Sequence, residues 1–173
     1  MPPNPHPGLI TAFKRIICLA MLLVTVQPVT ASELATDAMG LGPQIDQVLV
    51  RKQERRLYLM AADDVVRSYR VSLGDNPSGH KLFEGDKRTP EGSYILDWRN
   101  PGSDFYKSIH ISYPNEQDRT LAEAWGLDPG GSIMIHGVPN DAGDLAFAYE
   151  GLDWTNGCIA VSNAEMDEIW RLV

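Results

Sequence analysis

Cysteine is nearly absent from this chain: Cys18 and Cys158 are the only two among 173 residues. A framework of several disulfides and any multi-cysteine metal site are therefore excluded. Missing too is a block of basic residues. The chain carries 15 Lys/Arg against 23 Asp/Glu for a formal net charge of −8, with no basic run to neutralise a row of phosphates, so nucleic acid is not an expected partner. No apolar run reaches the roughly 18 to 20 residues that a membrane span needs. Internal repeats and low-complexity tracts are lacking, and an apolar content of 43%, evenly spread, excludes a disordered chain. One folded, water-soluble domain of ordinary size remains.

What is present begins with a leader. Lys14 and Arg15 precede the uninterrupted apolar stretch from Ile16 to Val26, and Val29-Thr30-Ala31 supplies small residues where a signal peptidase reads them. Residues 1–31 are expected to be a signal peptide cleaved between Ala31 and Ser32, which places the mature protein in the periplasm or elsewhere in the cell envelope, with no transmembrane span. Its removal takes away Cys18 and leaves Cys158 as the sole thiol in an oxidising compartment. Residues 32–44, punctuated by Gly40, Gly42 and Pro43, read as a linker. The domain is expected over 45–173.

Within it, short β-type segments follow one another: Gln47 to Val50, Arg56 to Met60, and Val65 to Leu73. The Gly- and Pro-rich stretch 74–92 predicts a long ordered loop, a kind of segment that often carries function. Further strands are expected over Ser93 to Trp98, Ser108 to Tyr113, Ser132 to Ile135 and Cys158 to Val161, with a short helix from Glu116 to Trp125. Ser162-Asn163-Ala164-Glu165 is a capping box that opens a second helix through Leu172. The fold class is β-rich α+β, with mixed and antiparallel sheets, a mid-chain helix and a C-terminal helix.

The sharpest local feature is Asp153-Trp154-Thr155-Asn156-Gly157-Cys158-Ile159, where the thiol follows a turn dipeptide and precedes an apolar strand. Successive N–H groups of Asn156, Gly157 and Cys158 at such a turn suit an oxyanion hole for acyl transfer. A thiolate nucleophile needs an imidazole to generate it. His80, His110 and His136 follow the leader. His136 is the best placed, because it ends the apolar strand Ile133-Met134-Ile135 and is followed by Gly137, whereas His80 and His110 read as hydrogen-bonded structural residues.

At this point the residues resemble a family. His136-Gly137 with Thr155-Asn156-Gly157-Cys158 is similar to the HG…[S/T]HGC signature of the L,D-transpeptidase catalytic (YkuD-type) domain. Gly85-Asp86-Lys87-Arg88-Thr89-Pro90-Glu91-Gly92-Ser93-Tyr94 and His110-Ile111-Ser112-Tyr113-Pro114-Asn115 resemble segments of its branch of small periplasmic YafK-like proteins. The resemblance spans nearly all of the mature chain. It implies a peptidoglycan-modifying enzyme in which Cys158 attacks the L,D bond of a stem tetrapeptide, D-alanine leaves, and an amine resolves the thioester. It assigns His136 as base, Gly137 as the carbonyl that orients the imidazole, and Thr155 as the family's Ser/Thr. No metal or organic cofactor is implied. The implied partners are peptidoglycan stem peptides, with a wall-attached lipoprotein as the alternative.

Two departures stand out. Asn156 replaces a second histidine, and Ala160 stands where an arginine is common. The second change raises a hydrolytic alternative, in which the same thioester is resolved by water to trim tetrapeptides or release a tethered protein. A non-catalytic wall-binding module is the alternative from another class. Arg88 reads first as a loop anchor, through Asp86 or Glu91, and second as a substrate contact. Tyr94, Trp98, Trp125 and Trp154 read as core or rim aromatics, with Trp154 kept as a candidate substrate contact beside the thiol. Lys81, Lys87, Arg88 and Arg99 are the candidate cationic contacts.

Overall fold

The computed structural model describes residues 43–173. The expected signal peptide and all but the end of the linker lie outside these residues. Among the described residues no helix is long and apolar enough to cross a membrane.

The first three strands form an antiparallel meander: β1 (Gln47–Arg51), β2 (Arg56–Ala61) and β3 (Asp64–Arg70), in the order β1-β2-β3. Alternation decides which face packs, since side chains along a strand point to opposite sides. Leu57, Leu59 and Tyr69 accordingly enter the core, the two leucines fully buried. The third strand stops at Arg70, short of the expected Leu73, because the chain changes sheets there. Ser72 exchanges both backbone hydrogen bonds with Ala160 (2.9 and 2.8 Å), and Gly74 bridges Thr155 in the parallel sense.

A second sheet holds β4 (Leu96–Ser103), β5 (Tyr106–Ile111), β6 (Met134–His136) and β7 (Ile159–Ala160), in that order. The β4-β5 and β5-β6 pairs are antiparallel and β6-β7 is parallel, so the sheet is mixed as the sequence suggests. β4 begins later than expected and runs on through Pro101 and Gly102. It is an edge strand with irregular register, and an edge tolerates a proline because only one side of the strand is hydrogen-bonded. Ile109, Ile111, Ile135 and Ile159 point from this sheet into the same core as Leu57 and Leu59.

Two helices close the fold. α1 (Glu116–Ala124) is capped by Asn115, whose Oδ1 accepts from the N–H groups of Gln117 and Asp118 while Asp118 accepts from Asn115 N–H. α2 (Asn163–Leu172) carries the expected Ser162/Glu165 box. It lays the fully buried Met166 and Ile169 on the core. Trp125 is not a core or rim residue: it follows α1 on the surface, 73% exposed.

Candidate functional site

The loop bearing Cys158 is built by Thr155, Asp153 and two glycines. Thr155 is buried, donates from Oγ1 to Cys158 O (2.8 Å) and accepts there from Gly157 N–H (3.1 Å), so one hydroxyl closes the turn. Its backbone pairs with Leu73 O and Asp75 N–H. Asp153 receives Arg55 Nη2 at 2.7 Å and Leu73 N–H at 3.0 Å. Gly157 has φ +125°, and a Cβ there would stand 2.6 Å from Arg88 O, so conformation and space both require glycine. Gly74 is equally tight, pressed against the backbones of Lys87 and Gly157.

β6 and β7 carry the two candidate reactive side chains. Parallel pairing sets Ile135 beside Ile159 and His136 beside Ala160. Since Ile135 and Ile159 face the core, alternation turns His136, Cys158 and Ala160 to the other face. Cys158 Sγ lies 3.4 Å from Met134 N and 3.6 Å from Ser132 O. His136 is only 3% exposed, and its Nδ1 is 2.6 Å from Gly137 O. A carbonyl can only accept, so this partner assigns the proton to Nδ1 and leaves the lone pair on Nε2. Phe105 (centroids 4.7 Å) and Trp154 (5.7 Å) cover the ring, and Trp154 is itself fixed by Nε1–H donating to Tyr149 O at 3.1 Å.

Burial sets the protonation of both groups. It lowers the His136 pKa, partly opposed by the Gly137 carbonyl, so the ring is held neutral. It raises the Cys158 thiol, against the smaller pull of Met134 N–H and the Lys81 charge. The free site thus holds a neutral thiol and a neutral imidazole with an available lone pair. No hydrogen bond joins Cys158 Sγ to His136 among the described residues, since the thiol faces Ser132 O; a thiolate nucleophile can form when the side chain turns to Nε2 and proton transfer accompanies attack.

Of the three N–H groups expected to face an oxyanion, Gly157's is committed to Thr155 Oγ1. Those of Asn156 and Cys158 have no acceptor among the described residues, and Asn156 is exposed.

The Gly85–Tyr94 segment is a scaffold for this loop. Thr89, 1% exposed, accepts Gly74 N–H at 3.0 Å. Arg88 does not form the expected ion pairs: Asp86 takes Lys81 Nζ (3.0 Å), Glu91 takes Lys52 Nζ (2.9 Å), and the Arg88 guanidinium reaches only His80 O at 3.5 Å. The Lys81–Asp86 pair is almost wholly buried, which withdraws Lys81 from substrate. Asp86 stays below the ordinary carboxylate range despite its burial because the N–H groups of Arg88 and Leu82, with the Lys81 ammonium, favour its charge. Lys87 pairs with Asp75 (2.6 Å) and Arg99 donates to Trp170 O (2.9 Å). His80 bridges Glu91 N–H and Asp118, and His110 meets Asp97 at 2.6 Å.

Arg55, Phe105 and Tyr149 also shape the site and were not signalled by the sequence. Arg55 and Phe105 act through contacts distant in sequence and Tyr149 through Trp154, and none lies in a recognisable motif.

The family model of the L,D-transpeptidase catalytic domain (YkuD) matches residues 45–173, and the chain belongs to that family. It is 30% identical over 178 aligned residues to the candidate L,D-transpeptidase YafK of Escherichia coli K12, covering 92% of this chain and 63% of that protein. An equal match is found in YafK of Escherichia coli O157:H7. The chain thus spans less than two thirds of the curated relatives it matches. Among solved structures, Bd1075 of Bdellovibrio bacteriovorus shares the fold, with a TM-score of 0.50 at 20% identity over 76% of this chain and 47% of that one. The L,D-transpeptidase of Xylanimonas cellulosilytica gives a TM-score of 0.46 at 18% identity, over 82% of this chain and 63% of that one.

Proposed function

We propose that this chain is an exported cysteine acyltransferase that acts on peptidoglycan stem tetrapeptides. The observation that carries this reading is the placement of Cys158 and His136 on one face of two paired strands, with the imidazole tautomer selected by Gly137 O. Family membership supports the reaction class, and the leader sequence supports export to the periplasm.

In this mechanism His136 Nε2 takes the thiol proton as Cys158 Sγ attacks the carbonyl of the L,D bond. Negative charge developing on the carbonyl oxygen is received by the N–H groups of Asn156 and Cys158, which are free to donate, while Gly157 N–H holds the turn. His136 then gives its proton to the departing D-alanine amine, leaving a thioester on Cys158. An amine of a neighbouring stem resolves it. Trp154 and Phe105 keep water from the imidazole during acylation, and Arg88 contributes through its backbone carbonyl against Gly157 rather than as a charge on substrate. No step calls for a metal or organic cofactor.

The test is a mass-spectrometric comparison of muropeptides after tetrapeptide-rich sacculi are incubated with the protein or its Cys158→Ala variant. New cross-links between the third residues of two stems, dependent on Cys158, are the expected result. Tripeptides or released protein without cross-links would assign hydrolysis to the same site. An unchanged profile from folded protein would overturn the enzymatic reading in favour of a binding module.

A further inference from the structure

We propose that His110, held by Asp97, is a second imidazole of the site and serves as the base for the nucleophile that resolves the thioester. The inference rests on reading Cys158 as the acyl carrier, and it assigns the second half-reaction to a different residue from the first.

Strand register brings His110 to the site. Ser108 pairs with His136, Ile109 with Ile135, and His110 with Met134. Ile109, Ile135 and Ile159 all enter the core, so the opposite face carries two rows. One row is Ser108, His136 and Ala160. The next is His110, Met134 and Cys158, the last placed there by the 3.4 Å contact from Met134 N–H to Sγ. With neighbouring strands about 4.8 Å apart, the backbones of His110 and Cys158 are about 10 Å apart, with only Met134 between them. An acyl group on Sγ and an incoming nucleophile would meet over the Met134 position between them.

The chemistry of His110 suits a base. Its Nδ1 is 2.6 Å from Asp97 Oδ1. A carboxylate accepts, so Nδ1 carries the proton and Nε2 the lone pair. Trp98 stacks on the ring at 4.9 Å and 17°, fixing its plane. No group among the described residues pairs with Nε2. Exposure separates the two histidines: His136 is sealed beneath aromatic rings, as suits a proton passing to and from a half-buried thiol, whereas the His110 side chain is 15% exposed and reachable by a nucleophile arriving from solvent.

In this step water or a primary amine attacks the thioester carbonyl carbon, and its proton moves to His110 Nε2. The tetrahedral intermediate collapses, the C–S bond breaks, and Cys158 leaves as thiolate with the bonding pair. The proton then passes from His110 through solvent to Sγ, which restores the thiol and the neutral ring. The product is a carboxylic acid or an amide, and no redox partner is involved.

The test follows a disaccharide tetrapeptide through one turnover with purified protein, reading D-alanine release and the intact mass of the Cys158 adduct. His110→Gln is expected to keep the D-alanine burst within about twofold, to accumulate the acyl adduct, and to lose turnover by about a hundredfold or more. Added imidazole should partly restore turnover in His110→Ala. Asp97→Asn, which keeps the ring, should accumulate adduct to a smaller extent. Wild-type turnover in His110→Gln would overturn the proposal, as would a parallel loss of acylation without rescue. Should His110→Gln melt, absence of adduct in folded Asp97→Asn would overturn it instead. If the wild-type protein itself forms no adduct and releases no D-alanine, the reading of Cys158 fails first, and this assignment falls with it.

Discussion

Arg55 and Asp153, 98 residues apart, meet in a forked ion pair, with Nε and Nη2 2.9 and 2.7 Å from Oδ2. Asp153 Oδ1 also accepts Leu73 N–H. The turn after β1 is thereby tied to the base of the Cys158 loop, across the junction of the two sheets. Arg55→Ala is expected to cost about 2 kcal/mol, in the range of hydrogen bonds to charged groups, as read by urea unfolding. Activity should fall further than stability requires, because the loop loses its position. Asp153→Asn should be milder, since its amide oxygen can still accept Leu73 N–H.

The proposed pair, Cys158 and His136, gives the sharpest outcomes. Cys158→Ser and His136→Gln should each lower turnover by at least about a thousandfold, and the double variant should do little worse than either, because residues acting as one unit do not add. Steady-state release of D-alanine measures both. A double variant far below the singles would show that the two residues work separately.

Acid should destabilise the fold through His136. Burial holds its pKa below the ordinary 6.5, so between those two values the unfolded chain binds more protons than the native one. This contribution is complete above 6.5 and is lost as pH falls toward the folded value. Denaturant midpoints measured on wild type and His136→Gln should therefore converge in their pH dependence above 6.5 and diverge below it.

The thiol behaves in the opposite sense. Cys158 is raised above its ordinary 9.0, so the free protein holds less thiolate at neutral pH than an exposed cysteine does. Alkylation by iodoacetamide at pH 7 should be slower than for free cysteine and should climb into the alkaline range. Slow alkylation thus accords with the enzymatic reading. A fast reaction at pH 7 would contradict the resting state described above.

Gly157 has no permissible substitute. Its φ of +125° alone costs about 1–3 kcal/mol for a side-chain residue, and the Arg88 carbonyl occupies the space besides. Gly157→Ala should fold poorly or not at all, and thermal melting would show it. Gly85, with nothing within 4 Å of its Cβ position, should accept alanine at a cost from backbone conformation alone.

The candidate pair Cys158 and His136 and the second helix are legible because each is a local pattern: a Gly-Cys turn, a His-Gly strand end, a Ser-x-x-Glu box. Asn115 and Asp118 form the same reciprocal cap with a shorter acid, and the sequence pattern for Ser/Thr with Glu passed over it. β4 extends past Trp98, its expected end, because Pro101 reads as a strand breaker until the edge position is known. The surroundings of Arg88 are illegible in the sequence for a different reason. Asp86 and Glu91 are its neighbours in sequence, but Lys81 and Lys52, brought in by the fold, claim both carboxylates. The same holds for Gly157 N–H, whose commitment to Thr155 depends on a rotamer and not on spacing.

The crossing at Ser72 and Gly74 makes the site a property of the whole domain. Ser72, Leu73 and Asp75, which follow the first sheet, hydrogen-bond to Ala160 and Thr155 on the way past the Cys158 loop. The loop is therefore not a separate melting unit: opening either sheet removes some of its supports. Amide exchange at Thr155 and Ala160 is expected to report the global unfolding event, so that the loop should not open ahead of the fold.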